Sequence, residues 1–257
     1  MDSILTMSMP NLNAYVTAPE VNIVLSVHTF QEAVHSQSYG YILESVVPAE
    51  DRQSIYDLWR EDAELLKRNK FIADVFQEFQ DRPTEKSFVK ACFAQYLLEG
   101  IYFFSGFAFF YSLARAGKMV GTTTEIRFIN RDEITHLAVF INLISALRQE
   151  RPDLFDSFML YDLREMAISA AKNEIAWGKY AIGDRIEGLS SQIIEEYIEY
   201  ITDVRMKAMS LEPIFNRTKN PMAWLSSYHN LNEVKADFFE QKVTNYRKSS
   251  GMGLDDI

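Results

Sequence analysis

The chain has four histidines, and two of them follow a glutamate by three residues: Glu32-Ala-Val-His35 and Glu133-Ile-Thr-His136. Positions three apart lie on one face of a helix, so each pair can turn a carboxylate and an imidazole toward the same ion. Either pair alone has a plainer explanation, a Glu–His contact on a solvated face. The flanking residues argue against it: His35 stands among Phe30, Val34, Tyr39 and Ile42, and His136 among Ile134, Leu137, Val139 and Phe140. A third acid, Glu99, sits inside Tyr96-Leu-Leu-Glu-Gly-Ile-Tyr-Phe-Phe with no Lys or Arg within a helical turn. An unpaired carboxylate in such a run is costly, so it must be paired, protonated or bound to a cation. Carboxylate oxygens with one imidazole per ion suit iron or manganese better than a thiolate-seeking metal.

Such a set must be held by several helices, and the pattern supplies them. Glycines (10) and prolines (7) are scarce and fall mainly between long segments of helical periodicity. Pro19 and Glu20 open a helix that runs to about Glu44, and Pro48 breaks the chain before a second over roughly Gln53–Gln80. Thr84 can cap a helix over Glu85–Ala116 that Gly117 ends, followed by Gly121–Gln149, Asp153–Glu187 and Ser190–Met209. The pattern turns irregular after Pro213 and polar from about Asn232. No strand-rich region and no repeat is evident. Long antiparallel helices make a bundle, so the fold class is all-α. Two Glu-x-x-His pairs plus further carboxylates, each from a separate bundle helix, are the ligand set of di-iron and di-manganese carboxylate proteins.

Composition narrows the function classes. The chain of 257 residues is 47% hydrophobic and 24% charged, ordinary for a globular protein with a full core. A net charge of −10 with no block of Lys or Arg argues against nucleic acid and against anionic lipid as partners. The single Cys92 fits a reducing compartment, and no basic-then-apolar leader opens the chain, so a cytoplasmic protein is expected. Leu97–Ala114 is apolar and about long enough to cross a bilayer, but Glu99 inside it makes a core helix the simpler reading.

Over essentially its whole length the chain resembles the small, radical-generating subunit of class I ribonucleotide reductase. Glu32-Ala-Val-His35-Ser-Gln-Ser-Tyr39 is similar to that family's second-helix motif, Leu98-Glu99-Gly-Ile-Tyr-Phe-Phe-Ser-Gly to the third and Arg131-Asp132-Glu133-Ile-Thr-His136 to the fourth. Asp2-Ser-Ile falls where the first-helix ligand belongs. The resemblance implies a ferritin-like helical bundle over residues 1–231, with a di-metal carboxylate site in its core, and a polar tail over 232–257 that meets the large subunit. It implies Asp2, Glu32, His35, Glu99, Glu133 and His136 as ligands of two metal ions. Iron is expected, while manganese or a mixed Mn/Fe pair satisfies the same donors. The metal pair would activate dioxygen to make a tyrosyl radical on Tyr39, shielded by Phe103, Phe107 and Ile129. Asp132 would orient a ligand histidine and, with Tyr246 in the tail, relay the radical to a large subunit that reduces a ribonucleoside diphosphate or triphosphate. The expected assembly is a homodimer with that large subunit.

The chain also departs from the pattern. The family carries some dozens of residues before the first-helix ligand, so either this is a fragment or a separate N-terminal polypeptide supplies them. His28, one turn before Glu32, stands where relatives often carry Trp or Gln, either as an added donor near the metals or as a satisfied core histidine. The tail ends Asp255-Asp-Ile rather than in an acidic-aromatic terminus. Two rivals share the scaffold. A related ligand-binding oxidase would need a Tyr–Val crosslink at positions held here by Leu5 and Ala94, and a ferroxidase would have no use for the segment around Tyr246.

Overall fold

The computed structural model describes residues 2–229; the side chains of residues 2–5, Ser227 and His229 lie outside that description, as does Tyr246. Ten α-helices follow in order: α1 (Asp2–Tyr15), α2 (Pro19–Val46), α3 (Ala49–Glu61), α4 (Ala63–Asp81), α5 (Glu85–Leu97), α6 (Phe104–Arg115), α7 (Val120–Glu150), α8 (Ser157–Ala181), α9 (Ser191–Ala208) and the single turn α10 (Ser226–His229). Among the described residues no strand forms, only an isolated bridge between Ile186 and Leu189.

The helix starts follow local chemistry. Asp62, Asp156 and Ser190 each accept the N–H three residues on, and Thr84 and Ser87 form a reciprocal capping box. The cap at Asp62 explains why the single helix expected over Gln53–Gln80 is two: its carboxylate accepts from Leu65 at 2.8 Å and starts α4 afresh. The helix expected over Asp153–Glu187 opens as a 3₁₀ turn, Pro152–Phe155, restarts at Ser157 and stops at Ala181. The turn between α1 and α2 is closed by Asn22, whose amide reaches Asn13 O at 2.8 Å and Val16 O at 3.0 Å. Beyond α9 the irregular segment is tied down by buried Asp203, which accepts from the backbone N–H groups of Ile214, Phe215 and Arg217 at 2.6–2.9 Å.

The run Glu85–Arg115 is the axis of the bundle, with α1, α4, α7, α8 and α9 packed around it. Every residue from Ser87 to Ile101 except Lys90 is buried, so this apolar run is a core helix, as the sequence suggests. It is not one regular helix, however. Leu98–Tyr102 form a π-helical turn carrying Glu99 between α5 and α6. A π turn offsets the backbone ladder and leaves carbonyls in need of donors, a feature frequent at functional sites. Here distant side chains supply them. Arg205 Nε of α9 donates to Gly100 O at 3.0 Å, and Arg68 Nη2 of α4 donates to Tyr102 O. Glycine eases the first approach, since a Cβ at residue 100 would lie 3.1 Å from Arg205 Nε and crowd its side chain. Arg68 Nε also donates to Glu174 Oε2 of α8 at 2.8 Å, and Ser105 donates to the other oxygen of the same carboxylate. The guanidinium lies over the rings of Tyr102 and Trp177.

Because Glu174 has no exposed surface, removing its cationic partner leaves a charge stranded in the core. Arg68→Met should cost about 3–5 kcal/mol of stability in urea unfolding. Lys70→Ala, which opens the exposed pair with Asp74 on the same helix, should cost less than about 1 kcal/mol.

Candidate metal centre

Three helical runs bring the predicted acids and histidines to one place. α2 contributes Glu32 and His35, the π turn Glu99, and α7 Glu133 and His136; all five are buried, and the three glutamates are fully enclosed. α1 carries Asp2 in its first turn, but the Asp2 side chain lies outside the described part. Potential ligand atoms of Glu32, His35 and Glu133 fall within 4.8 Å of one another, and so do those of His28, Glu32, Glu99 and His136. Glu32 belongs to both groups.

The orientation of the two predicted histidines fits metal binding. His35 turns Nδ1 inward, 3.1 Å from Glu133 Oε1, and directs Nε2 outward to Asp132 Oδ2 at 3.4 Å. His136 likewise turns Nδ1 toward Glu32 Oε1 (3.2 Å) and Glu133 Oε2 (3.3 Å), and Nε2 donates to Gln31 Oε1 at 3.0 Å. An outer partner that accepts the Nε2 proton leaves the Nδ1 lone pair for an ion. The inner atoms are correspondingly short of partners. Both oxygens of Glu32, Oε2 of Glu99, Oε1 of Glu133 and Nδ1 of His35 are buried without a hydrogen bond. Buried polar atoms left unmatched and converging from separate helices are what a cation would satisfy, so the donor set fits a pair of oxygen-preferring metal ions.

The electrostatics agree. Burial alone would raise the Glu32 carboxyl, but the close imidazoles of His136 (3.2 Å) and His28 (3.4 Å) hold it at about 2. Burial likewise opposes charge on His35 and His136, yet the surrounding carboxylates and their hydrogen bonds push both rings up to about 10. Asp132 is held below the usual range, against partial burial, by His35 and by Arg131, whose Nη2 lies 2.9 Å away. Without metal, imidazolium protons balance the carboxylates.

Tyr39 follows His35 by one turn of α2. It is half-buried and lines a cavity of about 140 Å³ with Phe103, Phe107, Tyr102 and Arg68. Ile129 is buried on α7 but is not among the residues lining that cavity. Sequence reasoning left His28 open and did not single out Gln31 or Gln95. The structure sets His28 Nε2 against Glu99 Oε1 at 2.5 Å and Gln95 Nε2 against the same oxygen at 2.7 Å. Gln95 precedes Glu99 by four residues, a same-face spacing that could have found it. Gln31 reaches across to α7, and no local pattern signals that.

The match to known proteins is direct. The family model for the ribonucleotide reductase small chain covers residues 1–221. The chain belongs to that family. The ribonucleoside-diphosphate reductase subunit beta of Treponema pallidum is 45% identical over 260 residues, covering all of this chain and 74% of that protein. The ribonucleotide reductase R2 subunit from Clostridium botulinum superposes with a TM-score of 0.87 at 44% identity, over 90% of this chain and 73% of that one. A dimanganese(II) NrdF from Streptococcus sanguinis, 17% identical with a TM-score of 0.76 over 89% of this chain and 77% of that one, shares the fold alone. The ferritin-like bundle expected from the motifs is thus the fold observed, and the chain is a small subunit of an oxidoreductase. Family and buried cluster together support a di-metal site.

These charge arrangements give a pH dependence that metal should abolish. In metal-free protein, Glu32 at about 2, below its ordinary 4.5, stabilises the fold above pH ~4.5, and that contribution is lost as pH falls through about 2. His35 and His136, raised from 6.5 to about 10, stabilise fully below pH ~6.5 and lose that contribution as pH rises through about 10. The melting temperature of chelator-treated protein should therefore fall between pH 6.5 and 10. Metal-loaded protein, whose histidines bind as neutral rings, should show a flat profile across that window.

Proposed function

We propose that this chain generates and stores the oxidising equivalent for ribonucleotide reduction as a radical on Tyr39, for use by a separate large subunit. The observation that carries the reading is the enclosed convergence of Glu32, Glu99 and Glu133 with two inward-facing histidines, one helical turn from a tyrosine that faces a phenylalanine-lined cavity. Asp2, Glu32, His35, Glu99, Glu133 and His136 would hold two ions, iron first, with manganese or a Mn/Fe pair accepted by the same donors. Such ions, when bound, supply the oxidising power drawn from dioxygen that the polypeptide lacks.

The chain's own residues then divide the work. Tyr39 gives up one electron and its phenolic proton and becomes a neutral radical. Phe103 and Phe107 in the cavity wall, with Ile129 buried on α7, would keep water and small reductants from it. Asp132 accepts the Nε2 proton of His35, fixing that ring's tautomer, and its partial exposure suits a place on the outward route of the radical. Tyr246 in the tail would complete that route, and residues 232–257 would dock the large subunit. The similar protein from Treponema pallidum is named as a diphosphate reductase, which favours nucleoside diphosphates as that subunit's substrate. A cytoplasmic, reducing setting follows from the same role.

A homodimer is supported by α2, which carries an exposed apolar seam opposite its buried face. Leu25, His28, Glu32, His35 and Ile42 face inward, while Ile23, Val27, Phe30 and Val34 recur on the opposite side at alternating four- and three-residue steps, with Tyr41 two turns further on, and are exposed. An apolar stripe of this length on a helix surface suits packing against its own copy.

Loading the protein with Fe(II) and dioxygen should yield a tyrosyl signal by electron paramagnetic resonance at about two irons per chain. Tyr39→Phe should abolish the signal while metal content is unchanged; a persisting signal would assign the radical elsewhere. Phe30→Glu should shift sedimentation from the dimer to the one-chain mass of 29.7 kDa.

A further inference from the structure

Glu99 is the acid whose two oxygens have most distinct surroundings. Its Oε1 meets His28 Nε2 at 2.5 Å and Gln95 Nε2 at 2.7 Å, from α2 and α5 respectively. Oε2 is buried with no hydrogen-bond partner. Both donors are themselves enclosed, Gln95 completely and His28 to within 1%. The His28 ring cannot easily turn away. It stacks on His136 with centroids 3.6 Å apart and planes 21° off parallel, and it meets Phe140 edge-on at 5.8 Å. Its Nε2 also lies 3.4 Å from Glu32 Oε1. One imidazole therefore touches three of the residues read above as metal ligands.

We propose that His28 is a positioning residue for Glu99: with Gln95 it engages Oε1, the oxygen 3.7 Å from His136 Nδ1, and so restrains Glu99 to one-oxygen binding of an ion. This rests on the reading of Glu99 as a metal ligand. A carboxylate can bind through one oxygen or two, and two donors on the same oxygen oppose the second mode, because a chelated ion would compete with them for that oxygen's lone pairs. The stacking contact does a second thing. It ties the orientation of the Glu99 clamp to the ring plane of His136, so that the two ligands from the π turn and α7 keep one relative geometry. A sequence with Glu99 and His136 but no donor at position 28 would hold the same acid more loosely, free to move between one-oxygen and two-oxygen binding.

The test uses the full chain and Mn(II) alone as the probe. The variants are His28→Phe, which keeps a ring for stacking and removes the donor, His28→Gln, which restores a donor, and Gln95→Leu, which removes the other donor. Metal-loaded minus metal-free infrared spectra report the splitting of the carboxylate stretches, and pulsed electron paramagnetic resonance reports how many nitrogens bind Mn(II). The parent should show a widely split, one-oxygen carboxylate that narrows in His28→Phe and in Gln95→Leu and returns in His28→Gln. Mn(II) affinity should fall about tenfold in His28→Phe, the usual cost of losing an outer partner. Unchanged splitting in both donor-less variants overturns the proposal. A coordinated nitrogen lost in His28→Phe also overturns it, by making His28 a ligand. Failure of the parent to bind Mn(II) or Fe(II) would instead defeat the metal reading of the whole cluster.

Discussion

Three carboxylates with no exposed surface share one pocket, and no lysine or arginine among the described residues pairs with any of them. Desolvated like charges at this spacing repel strongly, and a protein interior does not tolerate them without compensation. The compensation comes from imidazolium protons or from metal cations, which makes the core of this bundle conditional on what it binds. With their outward Nε2 atoms hydrogen-bonded to Asp132 and Gln31, His35 and His136 turn their inward Nδ1 atoms toward the carboxylates.

Holding Glu99 there requires more than the helices that supply ligands. The π turn that carries it would be strained without donors for its displaced carbonyls, and those come from α4 and α9. Arg68 is in turn held by Glu174 of α8. Residues outside the buried cluster are in this way mechanically joined to Glu99, and a change on α4 or α8 is felt there through the backbone of residues 98–102. The Tyr39 cavity lies along the same path, since Arg68, Tyr102 and Ser105 line it.

The two sides of the cluster are not alike. His35 is backed by the carboxylate of Asp132, and His136 by the neutral amide of Gln31. The charged acceptor polarises its ring more than the amide does, so the two histidines differ as donors although their Glu-x-x-His motifs are the same. His28 and Gln95 add hydrogen bonds on the His136 side only. The two Glu-x-x-His pairs are thereby given different surroundings by residues outside the motifs.

Much of this was legible in the sequence, for a specific reason. Glu32 with His35, and Glu133 with His136, are local pairs whose geometry a single helix fixes, and the apolar flanks that betray a buried Glu99 are also local. The long helices α2, α7 and α8 follow from periodicity and punctuation in the same way, as do the caps at Thr84 and Ser190. What only the tertiary structure decided depends on contacts between distant segments. The break at Asp62 competes with an unbroken helical pattern, and the π turn has no signature in Leu98-Glu99-Gly-Ile-Tyr102, because its stability comes from Arg68 and Arg205. Whether His28 is a spectator or a partner of Glu99 was likewise undecidable along the chain: 71 residues separate them, and only the packing of α2 against the π turn sets Nε2 beside Oε1. Periodicity along one helix gave the ligands their faces; the register between helices gave them their partners.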